Sequence, residues 1–96
     1  MYEYLMPIGT VVRLKNAEKL LMISGVMQKS YLSDEDIVYY DYVGVPYPAG
    51  YLDSSLLMRF NHDDIEETVF NGYNGTEWQS LKKVFEIADK INKKMR

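Results

Sequence analysis

The strand-like segments of this chain precede its one long helix-like segment, and this order constrains the fold more than any other feature. Four segments are predicted to be strands. Thr10–Lys15 and Ile37–Val45 are rich in β-branched or aromatic residues, Lys19–Met27 is a nearly continuous apolar run, and Leu56–Phe60 is a weaker candidate. Glycines, prolines and short polar stretches bound these segments, as they bound strands in folded proteins. Strands that come before helices predict an α+β fold with an antiparallel sheet of three to five strands.

Glycine and proline positions refine this prediction. Gly25 lies inside the apolar run Lys19–Met27, which predicts a β-bulge or a close backbone approach at that point. The short polar stretch at Asn16 predicts a hairpin between the first two strands. Pro46, Pro48 and Gly50 predict a turn directly after the third strand, because a residue before proline avoids the helical region.

Two helices are predicted after the sheet. A short one covers about 62–71, because Asn61 can cap it, Ile65 and Val69 lie four residues apart, and Asn71-Gly72 can end it. A longer amphipathic helix covers about 77–95, and we expect it to pack on the sheet. Its apolar residues recur at steps of three and four: Trp78, Leu81, Val84, Phe85, Ala88, Ile91 and Met95.

Length and composition narrow the class of protein. The 96 residues predict a single domain, 1–96, with the sheet at about 8–60. There is no cysteine and no apolar run near the about 18 residues that a membrane span needs, and we see no signal peptide. We therefore expect a cytoplasmic protein that does not bind membranes.

Charge is unevenly distributed along the chain. The first 76 residues carry five basic and eleven acidic side chains, a net −6, whereas Glu77 onward carries six basic and three acidic, a net +3. An acidic body disfavours nucleic acid as a partner, because phosphate backbones bind to basic surfaces.

No residue pattern indicates catalysis, a cofactor or a metal. His62 is the single histidine, and the nearby carboxylates Asp63, Asp64, Glu66 and Glu67 do not give it a recognised ligand spacing. Acidic residues are also expected at the start of a helix, without any ligand. We therefore predict that the protein is not an enzyme and that it has no catalytic or metal-binding residues.

Tyrosine is the unusual residue type, with nine in the chain. Tyr40, Tyr42, Tyr47 and Tyr51 lie within the stretch YDYVGVPYPAGY and are our candidate protein-binding residues, since tyrosine is enriched at interfaces. The alternative is that these rings belong to the core and to ordinary strand faces. The sequence leaves both interpretations open.

Three pieces of the sequence carry a family resemblance: MPIGTVVRLKNAEKLLMISGVMQ, YDYVGVPYPAGYL and FNHDDIEETVFNGY. They resemble domain-of-unknown-function family 4176, and the resemblance as a whole covers Met6 to about Glu77. Val26 stands where that family usually has arginine, and Val45 where it has cysteine or another small residue. Neither departure breaks the pattern.

The resemblance implies a function that composition alone does not. Members are small proteins of Gram-positive bacteria, often encoded beside type VII secretion genes and their LXG-type toxins. It implies a chaperone or adaptor that binds such a toxin, or an associated secretion factor, in the cytosol before export. An immunity protein for such a toxin, or a small ligand-binding domain, are the alternatives, and a homodimer is left open.

Overall fold

A computed structural model describes residues 3–94, and it describes the side chains of residues 3–88. These residues form five strands, two single-turn 3₁₀ segments and one α-helix. The strands are β1 (Val11–Leu14), β2 (Leu20–Tyr31), β3 (Ile37–Tyr47), β4 (Met58–Phe60) and β5 (Ile65–Phe70). The 3₁₀ segments are Ser54–Leu56 and His62–Asp64, and the helix is α1 (Thr76–Lys94).

All five strands join one antiparallel sheet in the order β4-β3-β2-β1-β5. The fold is therefore α+β, as predicted. β1 and β2 form the expected hairpin, and the register of β2 against β3 shifts between Ile23 and Gly25, which confirms the bulge. A Cβ at Gly25 would lie 2.8 Å from Cγ1 of Val43, so this glycine allows a close approach of the two strands.

The predicted short helix at about 62–71 is wrong, because Ile65–Phe70 is strand β5 and pairs with β1. The sheet consequently extends to residue 70 and not to about 60. Register shifts interrupt the pairing of β5 at two places, between Val11 and Val12 and between Arg13 and Leu14 of its partner. Each shift adds a residue to the strand and breaks the alternation of apolar and polar residues. The four-residue spacing of Ile65 and Val69 fits a helix and also one face of a strand, so it does not distinguish the two.

Gly72 has a different role from the predicted helix stop. Its N–H donates a 3.0 Å hydrogen bond to the hydroxyl of Thr10, and a Cβ built on it would lie 2.8 Å from the backbone nitrogen of Thr10. The hydroxyl of Thr10 itself donates to the carbonyl of Pro7 at 2.8 Å. Glycine is needed here because two backbone segments touch.

One face of the sheet, which we call the core face, carries the main hydrophobic cluster. Its buried members are Leu5, Val12, Ile23, Tyr42, Phe60 and Trp78. One member lies on each of the strands β1 to β4, one lies in the N-terminal segment, and one lies near the start of α1. The opposite or outer face also has buried side chains, at Val11, Val43 and Val45.

The long strands β2 and β3 extend beyond their neighbours. β1 pairs with β2 only at Leu20–Met22, and β4 pairs with β3 only at Tyr42–Gly44. Residues 27–40, which we call the distal hairpin, are paired only with each other among the described strands. The radius of gyration of 14.3 Å exceeds the about 12.5 Å usual for this chain length, as such an overhang requires.

Helix α1 occupies nearly the predicted range, and it contacts the core near its start. Trp78 belongs to the core cluster, and Phe85 is half-buried against it. Leu81, Val84 and Ile87 are 40%, 56% and 59% exposed, so these side chains do not confirm that the whole stripe packs on the sheet. The stripe positions Ile91 and Met95 lie outside the residues whose side chains are described.

Candidate functional site

A network of hydrogen bonds links the core to the surface where β4 ends. The hydroxyl of Tyr42 lies 2.9 Å from Nδ1 of His62 and accepts a 3.1 Å hydrogen bond from the backbone N–H of Met6. Asp41 accepts hydrogen bonds from the backbone N–H of His62 at 2.9 Å and from the hydroxyl of Tyr4 at 3.0 Å. The network therefore ties the N-terminal segment and the turn after β4 to strand β3.

A single turn of 3₁₀ helix positions His62 for this contact. The carboxylate of Asp64 accepts a 2.8 Å hydrogen bond from the backbone N–H of Asn61. The side-chain oxygen of Asn61 in turn accepts a 3.0 Å hydrogen bond from the backbone N–H of Asp41. The polar residues that suggested a helix cap thus close a short turn between two strands.

Burial raises the pKa of the Tyr42 hydroxyl from 10.0 to about 12. The hydrogen bond from Met6 opposes this shift, and the negative charge of Asp41 adds to it. Since burial penalises the charged form of a phenol, Tyr42 stays neutral at physiological pH. Its hydroxyl serves as a hydrogen-bonding anchor beneath the N-terminal segment.

An open groove of about 410 Å³ lies beside His62. Lys15 and three carboxylates, Asp63, Glu66 and Glu67, also line it. Within the described part of the chain, no group of three His, Cys, Asp or Glu side chains is arranged to hold a metal ion. The charged lining of this groove is therefore mostly acidic, and the imidazole of His62 is part of the lining.

The structure separates the four tyrosines predicted to bind a protein. Tyr42 is 0% exposed, and Tyr40 is half-buried on the same face of β3. Tyr47 and Tyr51 are 48% and 64% exposed. Only the last two present much of their surface to a partner in this conformation, and protein binding by any of the four stays a prediction.

Tyr47 and Tyr51 lie in a segment that exposes further apolar side chains. Residues 47–58, which we call the turn surface, also expose Leu52, Leu56 and Met58, each by 48% or more. The turn is built as predicted: the N–H of Gly50 donates a 2.6 Å hydrogen bond to the carbonyl of Pro46, and the φ of Gly50 is 79°. The positive φ explains why glycine occupies this position.

Sequence reasoning missed a second exposed apolar surface, on the distal hairpin. Its side chains Tyr31, Leu32, Ile37 and Tyr39 are 69%, 71%, 40% and 58% exposed. Two features of the sequence could have indicated it: the length of the strand-like run from Ile37, and the apolar pair Tyr31-Leu32 within the otherwise polar stretch between the second and third predicted strands. Neither signal shows that the neighbouring strands end early.

The family comparison agrees with the sequence resemblance. The model of the domain of unknown function DUF4176 matches residues 5–81, which is most of the chain. The chain therefore belongs to the DUF4176 family. Neither the curated proteins nor the solved structures include a match. Among the described residues, no helix combines the length and apolar character needed to cross a membrane.

Proposed function

We propose that this DUF4176 protein is a non-catalytic adaptor or chaperone that binds an LXG-type toxin of type VII secretion. Binding takes place in the cytosol before export. The family relationship supports this proposal, because the family pattern is one of small proteins encoded beside such toxins. One structural observation also supports it, namely the apolar turn surface.

The turn surface has the composition of a protein-binding site. Five large apolar side chains, Tyr47, Tyr51, Leu52, Leu56 and Met58, are each exposed by 48% or more within one short segment. Large apolar side chains that are exposed close together on a small protein mark interaction sites more often than scattered ones do. Tyrosine adds a large ring and a hydrogen-bonding hydroxyl at low cost in side-chain entropy.

The turn surface is also held in a defined shape. The carboxylate of Asp53 accepts hydrogen bonds from the hydroxyl of Ser55 at 3.0 Å and from its backbone N–H at 3.5 Å. These hydrogen bonds hold the pKa of Asp53 below its usual value. A surface whose backbone is ordered before binding loses less conformational entropy when a partner docks.

Co-purification tests this function. The tagged protein is expressed with the LXG toxin encoded beside it, and the eluate is analysed by size exclusion with light scattering. We expect a complex of defined stoichiometry for the wild type, and at least tenfold weaker binding for Tyr51→Ala. Tyr73→Ala is the matched control, because Tyr73 is 86% exposed and lies outside the turn surface.

The outcomes separate the proposal from its alternatives. A wild-type protein that never co-elutes with the toxin would overturn the adaptor function. A complex that protects cells from the active toxin, while deletion of the gene leaves export unchanged, would indicate an immunity protein instead.

The acidic groove favours a second candidate, a small ligand-binding domain. Two of its carboxylates, Asp63 and Glu66, would suit a cationic ligand beside His62, whereas Glu67 lies 3.5 Å from Nε of Arg13. The double variant Asp63→Ala with Glu66→Ala removes two of these carboxylates and leaves the hydrogen bonds of Tyr42 in place. If this variant abolishes toxin export while Tyr51→Ala does not, the ligand-binding function replaces the adaptor function.

A further inference from the structure

The hydroxyl of Tyr42 has one proton to donate, and the structure offers one acceptor for it. The oxygen of this hydroxyl already accepts a 3.1 Å hydrogen bond from the backbone N–H of Met6. Among the described residues, Nδ1 of His62, at 2.9 Å, is the only acceptor within hydrogen-bonding distance. Tyr42 is 0% exposed, and a buried donor needs a partner. The contact therefore requires a neutral imidazole whose proton lies on Nε2.

This contact helps to hold the N-terminal segment, residues 4–6, against the core. Met6 is bound through its backbone N–H, and Leu5 is 3% exposed within the core cluster. The acceptor of the Met6 N–H is the same hydroxyl that donates to His62. A change at the imidazole is therefore transmitted to this segment through the hydroxyl of Tyr42.

A proton on Nδ1 of His62 is incompatible with this arrangement. An imidazolium has a donor at both ring nitrogens and no acceptor. The N–H groups of Met6 and of Nδ1 would then face one hydroxyl oxygen, and the proton of the Tyr42 hydroxyl would have no acceptor among the described residues. A buried donor without an acceptor destabilises the structure that contains it. Movement of the segment away from the core relieves this conflict, because both groups then reach water.

The charges around His62 attract a proton to it. From β3, the carboxylate of Asp41 accepts a 2.9 Å hydrogen bond from the backbone N–H of His62. Tyr4 faces the imidazole from the N-terminal segment, with 5.1 Å between the ring centroids, and Asp64 belongs to the same 3₁₀ turn. The charged side chains that line the groove beside the imidazole are Lys15, Asp63, Glu66 and Glu67. Carboxylates are the majority, and negative charges favour a positive imidazole.

We propose that His62 and Tyr42 form a pH-dependent latch on the N-terminal segment. In the closed form the neutral imidazole accepts the proton of the Tyr42 hydroxyl and residues 4–6 lie on the core. In the open form Nδ1 carries a proton and the segment is released. Because the open form binds a proton that the closed form excludes, the closed form loses stability as pH falls. Imidazoles change charge between about pH 8 and about pH 5, which is the window of the latch.

The latch shares no residue with the turn surface, so it does not rest on toxin binding. NMR spectroscopy of the isotope-labelled chain tests it between about pH 8 and about pH 5. His62 is the single histidine, so its ring signals report its protonation directly. The exchange rate of the Met6 amide, relative to an unstructured amide at the same pH, gives a protection factor that reports the closed form.

For the wild type we expect the protection factor of Met6 to fall about tenfold or more as pH decreases. The midpoint should coincide with that of the His62 ring signals. The amide of Ile23, which donates a 2.8 Å hydrogen bond to the carbonyl of Thr10, should stay far better protected than Met6 at every pH. This difference would show that the segment opens while the sheet stays folded.

Two variants separate the latch from other effects of pH. His62→Asn places an amide oxygen where Nδ1 lies and cannot become charged, so Met6 should stay protected throughout. Tyr42→Phe removes the hydroxyl, so Met6 should be poorly protected at every pH while the ring of His62 still titrates.

Three outcomes would overturn the proposal. One is a His62 ring that titrates without a change at Met6, and another is a ring that stays neutral throughout the window. The third is a loss of Met6 protection in His62→Asn as large as in the wild type, which would assign the effect to a different titrating group.

Discussion

The two halves of the β2–β3 hairpin have similar sequences and opposite environments. Near the sheet centre Ile23 and Tyr42 are 0% exposed, whereas in the distal hairpin Ile37 and Tyr39 are 40% and 58% exposed. Both halves are rich in residues that favour strands, so local preference does not separate them. The difference comes from neighbours: β1, β4 and the core cluster cover the first half, and none of the described strands flanks the second. The same hairpin therefore supports the fold at one end and presents a surface at the other.

Truncation of one isoleucine in each half should give the largest difference in the free energy of unfolding. Ile23→Ala leaves a cavity beside Tyr42 and should lower the free energy of unfolding by about 2–5 kcal/mol. Ile37→Ala removes a side chain that is already partly in water and should cost less than about 1 kcal/mol. Urea unfolding of both variants at low protein concentration measures the difference. Equal losses would contradict the comparison.

Gly25 lies at the junction of the two halves, and its substitution should cause the next largest loss of stability. In Gly25→Ala the new Cβ would lie 2.8 Å from Cγ1 of Val43 and 3.0 Å from Nε2 of Gln28. Overpacking of this kind costs about 1–3 kcal/mol. Ser30→Ala in the distal hairpin is the control, with an expected loss under about 0.5 kcal/mol. Thermal unfolding that shows no loss for Gly25→Ala would mean that the bulge accommodates a side chain.

Removal of one tyrosine hydroxyl from each half should give a smaller difference in the free energy of unfolding. Tyr42→Phe leaves the N–H of Met6 without its acceptor and should lower the free energy of unfolding by about 1–2 kcal/mol. Tyr39→Phe removes a hydroxyl from an exposed ring and should have almost no effect. Urea unfolding of the two variants measures both values. If Tyr42→Phe is as stable as the wild type, the hydrogen-bond network does not anchor the N-terminal segment.

Alkaline pH should reveal the raised pKa of Tyr42 as a loss of stability. The pKa of Tyr42 rises from 10.0 to about 12 on folding, mainly through burial. Between these values the folded protein holds a proton that the unfolded chain has released, so stability falls as pH rises. The contribution is fully present below pH 10.0 and is lost as pH rises through about 12. Tyr42→Phe should lose less stability than the wild type in that window, and identical pH profiles would contradict a raised pKa.

The sequence predicts most of the fold because its signals are local. Alternating β-branched residues, the glycine at position 25 and the Pro-Gly turn after β3 lead to the right strands and to the bulge. α1 is predicted from its periodic apolar residues. In contrast, β5 is missed because Ile65 and Val69, four residues apart, fit a helix as well as a strand, and because the register shifts of β5 interrupt the alternation that would indicate a strand. The pairing of all four residues of β1 with β5 shows that this segment is a strand.

The candidate site is less predictable because it depends on topology. Strand alternation places Tyr40 and Tyr42 on one face, but it does not show that this face is the core. Burial of Tyr42 follows from the position of β3 between β2 and β4, which the sequence does not reveal. Exposure of Tyr31 and Tyr39 likewise follows from where β1 and β4 end. Composition identifies an excess of tyrosine, and the arrangement of strands decides which rings remain on the surface.

Hydrogen exchange along the β2–β3 hairpin tests the central comparison most directly. The protein is measured at a concentration at which light scattering gives the monomer mass. We predict that the amide of Ile23, which donates a 2.8 Å hydrogen bond to Thr10, exchanges only through global unfolding, whereas amides of the distal hairpin exchange faster through local opening. Equal protection of both halves in the monomer would contradict the account.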